Sequence, residues 1–154
     1  MAKEIERKYL VTDDSFKAMA YRSRHIVQAY LSTSRDATVR VRIIDDKAYI
    51  TIKSCTIGCS RDEWEYEIPL QDARQMITGC HLDKLIDKIR YYVEYGGRTW
   101  EIDEFSGRLN GLAVAEIELD STDETFDLPP FVGVEVTDDN RYFNSVLCTL
   151  SYPF

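Results

Sequence analysis

The segment RDEWEYEI, residues 61–68, decides the fold, because charged and apolar side chains alternate along it. Glutamates stand at every second position, and Trp64, Tyr66 and Ile68 lie between them. Successive side chains of a strand point to opposite faces of its sheet. The alternation therefore predicts a β-strand with one charged face and one apolar face.

The same alternation recurs along most of the chain. The predicted strands span residues 3–11, 26–33, 37–44, 47–54, 61–68, 86–95, 98–106 and 113–120. Turns are predicted at Gly96-Gly97 and at Asp45-Asp46. Helices are predicted over residues 13–21, 71–77 and 140–150, and Ser121 begins a capping-box pattern that predicts a further short helix. These elements predict an α+β, mainly β fold: an eight-stranded antiparallel β-barrel with a few helices packed outside.

Composition narrows the class of protein. The chain has 154 residues, a formal charge of −8 and no Gly/Pro-rich linker, which predicts a single domain over residues 1–154. The net negative charge argues against a nucleic-acid or membrane partner. The N-terminus lacks the pattern of a signal peptide, and the four cysteines lack zinc-site spacing, so we expect reduced thiols and a cytoplasmic location.

Charge is sorted by strand in an unusual way. A single charged strand face is most often a solvated outer face, but seven strands carry one here, whereas exposed faces usually mix in Thr, Ser and Gln. We therefore expect the apolar faces to point outward and the charges to point into a lumen wide enough for one small ligand. The basic positions of this face are Arg40, Arg42, Lys53, Lys88 and Arg90, and the acidic ones are Glu4, Glu6, Asp103, Glu116 and Glu118.

Buried charges must be paired or must bind something. Two like charges about 4 Å apart repel by roughly 4 kcal/mol at an effective dielectric constant near 20. A polyanion would relieve the cations, and a hard divalent cation would relieve the carboxylates. The sequence therefore predicts a cationic wall and an anionic wall in one lumen, a combination typical of phosphoryl-transfer sites.

The N-terminal residues Glu4-Ile5-Glu6-Arg7-Lys8 have the form ExExK. Further motifs follow in order: VRVR at 39–42, TIK at 51–53, RDEWE at 61–65, KIR at 88–90, EIDEF at 101–105, AEIEL at 115–119, GVEVT at 133–137 and Arg141-Tyr142. Taken together they resemble the CYTH superfamily, also called triphosphate tunnel metalloenzymes, over essentially the whole chain.

The resemblance implies an eight-stranded tunnel that hydrolyses triphosphates with Mg²⁺ or Mn²⁺. It implies metal ligands at Glu4, Glu6, Asp103, Glu116 and Glu118, with Glu63 and Glu65 as ligands or as partners of the cations. It implies a phosphate clamp of Arg40, Arg42, Lys53, Lys88 and Arg90, which Arg61 either joins or supports by pairing with a glutamate. Lys8 is expected beside the bound phosphate, and Tyr30 is either a hydrogen-bonding partner of Lys8 or an ordinary strand tyrosine.

Three functions fit this reading. The first is hydrolysis of inorganic triphosphate, with Lys8, Tyr30, Glu4 and Glu6 as the catalytic group. The second is hydrolysis of an organic triphosphate, nucleoside or thiamine, or an adenylyl cyclase activity of the same superfamily. The third is a non-catalytic polyphosphate-binding module, which five extra carboxylates argue against. A small-molecule polyphosphate is the expected partner, and a homodimer is left open.

Overall fold

Nine strands form one antiparallel sheet in the computed structural model, which describes residues 2–154. The strands are β1 (Ala2–Val11), β2 (Arg22–Thr33), β3 (Ala37–Ile44), β4 (Lys47–Ser54), β5 (Ser60–Ile68), β6 (Ile86–Tyr95), β7 (Arg98–Phe105), β8 (Ala113–Glu118) and β9 (Val132–Glu135). All eight predicted strands are confirmed. The second begins four residues earlier than predicted, at Arg22, and β9 was not predicted.

The sheet closes on itself. Its order is β5-β4-β3-β2-β6-β7-β8-β1, and β1 pairs again with β5, so eight strands form a ring. β1 closes the ring because it pairs with two different strands: residues 2–5 pair with β5, and residues 6–10 pair with β8. β9 pairs with the end of β1 beyond β5. The predicted eight-stranded antiparallel barrel is therefore confirmed, with β9 as an addition outside the ring.

Both predicted tight turns are present. Gly96 and Gly97 have φ angles of 59° and 74°, the left-handed pair that a two-residue hairpin turn requires. Asp45, which begins the turn between β3 and β4, also has a positive φ of 53°. These turns fix the register of the two hairpins.

The helices agree less well with prediction. Helix α1 covers only Phe16–Met19, because the chain turns at Ser15, whose N–H donates to Asp13 Oδ1, and then enters β2. Helix α2 (Leu70–Gly79) confirms the predicted helix at 71–77. The helix predicted at Ser121 is wrong, because Glu124 accepts N–H bonds there within a turn that leads into extended chain.

The helix predicted over residues 140–150 is wrong as one element. The chain forms a 3-10 turn at Asn140–Tyr142 and a short helix α3 (Asn144–Leu147). Phe143 between them is extended, and its ring lies 5.4 Å from Lys8 Nζ. No helix within residues 2–154 has both the length and the apolar character to cross a membrane.

The apolar faces of the strands point outward, as predicted, and are covered from outside. Phe16 of α1 packs edge-on against Tyr91 and Phe131. Ala73 of α2 packs with Val41 and Ala48 in a second buried cluster. Burial of these faces, at about 25 cal/mol per Å² of apolar surface, stabilises the barrel and leaves its inner face for charged residues.

We predict that Gly97→Ala lowers the free energy of unfolding by about 1 kcal/mol, because an alanine there keeps a left-handed backbone. A Cβ at this position would meet nothing within 4 Å, so the cost is conformational alone. Gly79→Ala is the matched control: it also has open space, but it is helical and should gain about 0.5 kcal/mol. Urea unfolding measures the free energy of unfolding of both variants. Equal changes in Gly97→Ala and Gly79→Ala would contradict the conformational role given to Gly97.

Candidate active site

A cavity of about 350 Å³ occupies the interior of the barrel, and its walls are mainly charged. Strand alternation brings twelve of the predicted site residues into its lining: Glu4, Glu6, Tyr30, Arg40, Arg42, Lys53, Arg61, Glu63, Glu65, Arg90, Glu116 and Glu118. The other three, Lys8, Lys88 and Asp103, are buried in the same wall without lining this cavity. The predicted set is thus gathered in one place.

Glu4 is the centre of one cluster of charges. Lys53 Nζ lies 2.8 Å from Glu4 Oε2 and 3.4 Å from Glu63 Oε2, and Arg61 Nε lies 3.4 Å from the same oxygen of Glu4. Burial alone would raise the pKa of Glu4, but Lys53 and Arg61 outweigh burial and hold that pKa well below its usual range. Burial and repulsion from Arg40 lower the pKa of Lys53. Each of the two groups therefore stabilises the charged form of the other.

Glu65 organises a second cluster. Its Oε2 accepts hydrogen bonds from Arg42 Nη2 at 2.9 Å and from Thr51 Oγ1 at 2.7 Å, and Arg40 Nη2 lies 3.6 Å away. Burial, together with Arg40 and Arg90, lowers the pKa of Arg42 to about 10. Arg42 is thus still a cation at neutral pH. The single carboxylate of Glu65 is the counter-ion of both Arg40 and Arg42, so this wall has excess positive charge.

Asp103 lies deepest in the wall, and its carboxylate is occupied by cations. Arg90 donates to both of its oxygens, at 2.7 and 2.9 Å, and Lys88 Nζ donates to Oδ2 at 2.8 Å. Burial would raise the pKa of Asp103, but Arg90 and Lys88 reverse the effect and keep it well below its usual range. Burial lowers the pKa of Lys88 to about 8. Asp103 thus faces two cations in this structure, and its expected role as a metal ligand stays a prediction.

Lys8 is buried beside the other carboxylates. Its Nζ lies 3.5 Å from Glu116 and 3.8 Å from Glu6, and it donates to the carbonyl of Tyr142 at 3.2 Å. Burial would lower the pKa of Lys8, but Glu116 and Glu6 raise it above its usual value. Lys8 therefore stays a cation.

The expected hydrogen bond between Lys8 and Tyr30 is absent from the contacts of residues 2–154. Lys8 Nζ uses the carbonyl of Tyr142, and the hydroxyl of Tyr30 accepts instead from the amide of Gln28 at 3.5 Å. Tyr30 does line the cavity, and burial raises its pKa. Its neutral hydroxyl is thus available to a ligand.

The carboxylates outnumber the cations around Glu6. Burial and the neighbouring Glu116 and Glu4 raise the pKa of Glu6 well above its usual value. Burial, Glu4 and Glu101 likewise raise the pKa of Glu118. Within residues 2–154 no three such side chains are already drawn together as a metal-binding group. The chemistry of the set nevertheless fits a hard divalent cation, since it offers only carboxylate oxygens and carries uncompensated negative charge.

The predicted division into a cationic and an anionic wall is wrong in its arrangement. Arg40, Arg42, Lys53, Arg61 and Arg90 all line the cavity, and each lies in an ion pair with a carboxylate. Cations and carboxylates therefore interdigitate. The reason is the desolvation of charge in the wall, which separate walls of one sign would leave uncompensated.

Several lining residues were missed at the sequence level. They are Arg24, Tyr49 and the segment 143–145. Arg24 and Tyr30 are an even number of residues apart, so they lie on the same face of β2. A predicted second strand that began at residue 22 would therefore have included Arg24 in the lining. The segment 143–145 has no strand alternation from which its position could be predicted. It lines the cavity because the chain is interrupted at Phe143, between the 3-10 turn and α3.

The histidines and cysteines are separate from this site. His25 contacts Asp87 at 2.7 Å, both side chains more than half exposed, and His81 is exposed. All four cysteines are free thiols.

Comparison with known proteins identifies relatives of the whole chain. The family profile of the CYTH domain matches residues 2–143. An inorganic triphosphatase of Acetivibrio thermocellus is 42% identical over 156 residues, which cover 99% of this chain and 97% of the relative. An inorganic triphosphatase of Nitrosomonas europaea is 36% identical over 157 residues, covering 97% and 99%. A crystal structure of an inorganic triphosphatase matches with a TM-score of 0.67 at 31% identity, over 100% of this chain and 99% of that one.

We predict that Asp103→Asn lowers the free energy of unfolding by about 3–5 kcal/mol at neutral pH, because it leaves Arg90 and Lys88 buried without their counter-charge. The pKa of Asp103 is lowered in the folded protein, so its contribution is fully present above pH 3.8 and is lost as the pH falls below that value. Urea unfolding should therefore show that the difference in free energy of unfolding between Asp103→Asn and wild type becomes smaller below pH 3.8.

Glu104→Gln is the control for this prediction. Glu104 is the next residue on β7, but its partner is Lys17 at 2.8 Å on the outer surface. Such an exposed pair contributes at most about 1 kcal/mol. Equal decreases in the free energy of unfolding of Asp103→Asn and Glu104→Gln would contradict the role given to Asp103.

Proposed function

The chain belongs to the CYTH domain family, and from this premise we propose that it hydrolyses inorganic triphosphate inside its barrel, with Mg²⁺ or Mn²⁺. One observation carries the proposal: cations suited to phosphate and carboxylates with uncompensated charge line the same 350 Å³ cavity. The inorganic triphosphatases that match this chain over nearly its full length support it further.

Substrate binding exchanges partners within the existing ion pairs. A triphosphate carries several negative charges, so it competes with Glu65 for Arg40 and Arg42 and with Glu4 for Lys53 and Arg61. Guanidinium forks match phosphate oxygens bidentately, which favours the exchange. Arg90 keeps Asp103 as a fixed counter-ion, so we assign Asp103 as the residue that positions Arg90 and Lys88.

The lumen carboxylates, both those that the substrate would release and those outside that exchange, would hold the metal. We assign this role to Glu4, Glu6, Glu116 and Glu118, with Glu63 and Glu65 as further members. When bound, a divalent ion neutralises phosphate charge and lowers the pKa of bound water. Lys8 lies against Glu6 and Glu116, so its ammonium group is beside that cluster, and we assign it to a contact with the phosphate oxygens.

Hydrolysis needs a water in line with the bridging bond. The water oxygen bonds to the terminal phosphorus, the bridging P–O bond breaks, and pyrophosphate and phosphate are the products. A lumen carboxylate takes the proton from water, and Glu6 suits this role because it lines the cavity and because burial, Glu116 and Glu4 raise its pKa above that of an ordinary carboxyl group. The clamp residues stabilise the charge of the transition state, the main contribution in phosphoryl transfer.

An organic triphosphate is the second candidate substrate class, because Tyr49 and Tyr92 also line the cavity and offer surface for a base or a thiazole ring. A binding module without catalysis is less well supported, since binding alone gives no use for the carboxylates around Glu6. We further propose a reducing, cytoplasmic setting, supported by the four free thiols, and no nucleic-acid or membrane partner. A homodimer is compatible with this function.

The direct test is phosphate release from inorganic triphosphate, ATP and thiamine triphosphate, each with Mg²⁺, with Mn²⁺ and with EDTA. We expect release from inorganic triphosphate with either metal and none with EDTA, because the carboxylates need a cation to act. Release from ATP alone would contradict the substrate proposed. Absence of release with either metal would instead favour the binding module.

Glu6→Gln should lower kcat for inorganic triphosphate by about 10²–10⁴-fold, because it removes a proton acceptor and a metal ligand. Glu67→Gln is the matched control: Glu67 has the same parity on β5 as Glu63 and Glu65, but it is exposed and outside the cavity. Steady-state kinetics separate the two. A Glu6→Gln enzyme with wild-type kcat would remove Glu6 from the catalytic group.

A further inference from the structure

Arg24 differs from every other cation that lines the cavity. It has no ion pair with a carboxylate among residues 2–154, whereas Arg40, Arg42, Lys53, Arg61 and Arg90 each have one. Its Nε is buried and has no hydrogen-bond partner; the same is true of Arg40 and Arg42, but the guanidinium groups of those two have Glu65 as a counter-ion. A buried guanidinium N–H without an acceptor is costly, so this atom needs an acceptor from outside the chain.

Its place in the barrel is defined by strand register. Arg24 stands directly opposite Arg90 on the neighbouring strand, where paired Cβ atoms lie roughly 5 Å apart. It precedes Tyr30 by six residues on β2, which is roughly 20 Å along an extended strand. Both residues line the cavity, and this separation puts them toward opposite ends of it.

The guanidinium of Arg24 is held in place although it has no ion pair. Its Cζ lies 6.0 Å from the ring centroid of Tyr92, within reach of a cation–π contact. Tyr92 in turn packs against Tyr21, with ring centroids 6.3 Å apart. An anion that arrives therefore meets a cation that is already oriented.

We propose that Arg24, supported by Tyr92, is a further substrate-contacting residue that binds the phosphoryl group at this end of the tunnel and selects for a charged terminus. The inference rests on the proposed function and deepens it. Inorganic triphosphate ends in a terminal phosphate whose oxygens can accept the full guanidinium fork. An organic triphosphate that enters with its ester end at Arg24 has an ester oxygen and a neutral group there, so the guanidinium donates fewer hydrogen bonds to it.

The neighbouring residues make an anion the better partner. Arg90 is satisfied by Asp103 and Glu101, so a phosphoryl group that contacts it still carries charge for Arg24. A base stacked on Tyr92 would instead displace a cation from the ring. The geometry therefore favours phosphate over a nucleobase at this position.

The test is calorimetric titration with inorganic triphosphate and with ATP, in EDTA so that no metal supports turnover. Arg24→Gln should weaken triphosphate binding about tenfold, the effect of losing one charge-assisted contact, and ATP binding less than threefold. The affinity of Arg24→Lys for triphosphate should lie between those of Arg24→Gln and wild type, because lysine keeps the positive charge but cannot donate two parallel hydrogen bonds. Unchanged triphosphate binding, or an equal or larger loss for ATP, would overturn the proposal.

Two controls make the outcome specific. Arg74→Gln removes an exposed arginine of α2 on the outer surface and should leave both affinities unchanged. Thermal unfolding without ligand should give a midpoint for Arg24→Gln that is no lower than that of wild type, because Arg24 has no ion pair to lose and its buried Nε has no acceptor. Failure of the proposed function appears separately, as absence of phosphate release by the wild-type protein, since the titration measures binding and not turnover.

Discussion

Most charges inside this barrel are largely removed from bulk water, and the rest of the structure depends on how those charges are compensated. Lys53 is held by Glu4, and Arg90 by Asp103, at distances of 2.7–3.0 Å. A buried ion pair contributes little net stability, but losing one partner costs several kcal/mol. The outer apolar faces must therefore provide the stability of the fold, while the inner ion pairs determine which charged ligand the lumen accepts.

The same compensation links substrate binding to cation binding. A polyphosphate that takes Arg42 from Glu65 and Lys53 from Glu4 leaves those carboxylates without partners. The region around Glu6 already has excess negative charge from Glu116 and Glu4, and burial together with these carboxylates raises the pKa of Glu6 well above its usual value. A divalent cation relieves that excess, so each ligand should strengthen binding of the other. Arg24 lies outside this exchange, because it has no carboxylate to release, and for that reason we assign it to substrate selection.

Strand parity made the barrel and most of its lining predictable, because one face of every strand had to be apolar. The Glu63–Glu65 face and the turn at Gly96 follow from local sequence alone. The pairing of charges did not, since strand register and side-chain reach decide that Asp103 contacts Arg90 and Lys88. The break at Phe143 was also beyond local sequence, because it depends on a contact with Lys8 from the other end of the chain. Family resemblance supplied the functional class, and the structure supplied the interdigitated arrangement.

The central claim is that substrate and metal displace the resting ion pairs. It is tested most directly by a crystal structure with inorganic triphosphate and Mn²⁺, with manganese located by anomalous scattering. The account predicts manganese among Glu4, Glu6, Glu116 and Glu118, with Lys53 moved from Glu4 to a phosphate oxygen. Manganese outside the lumen, or triphosphate bound while the Lys53–Glu4 and Arg42–Glu65 pairs stay intact, would contradict it.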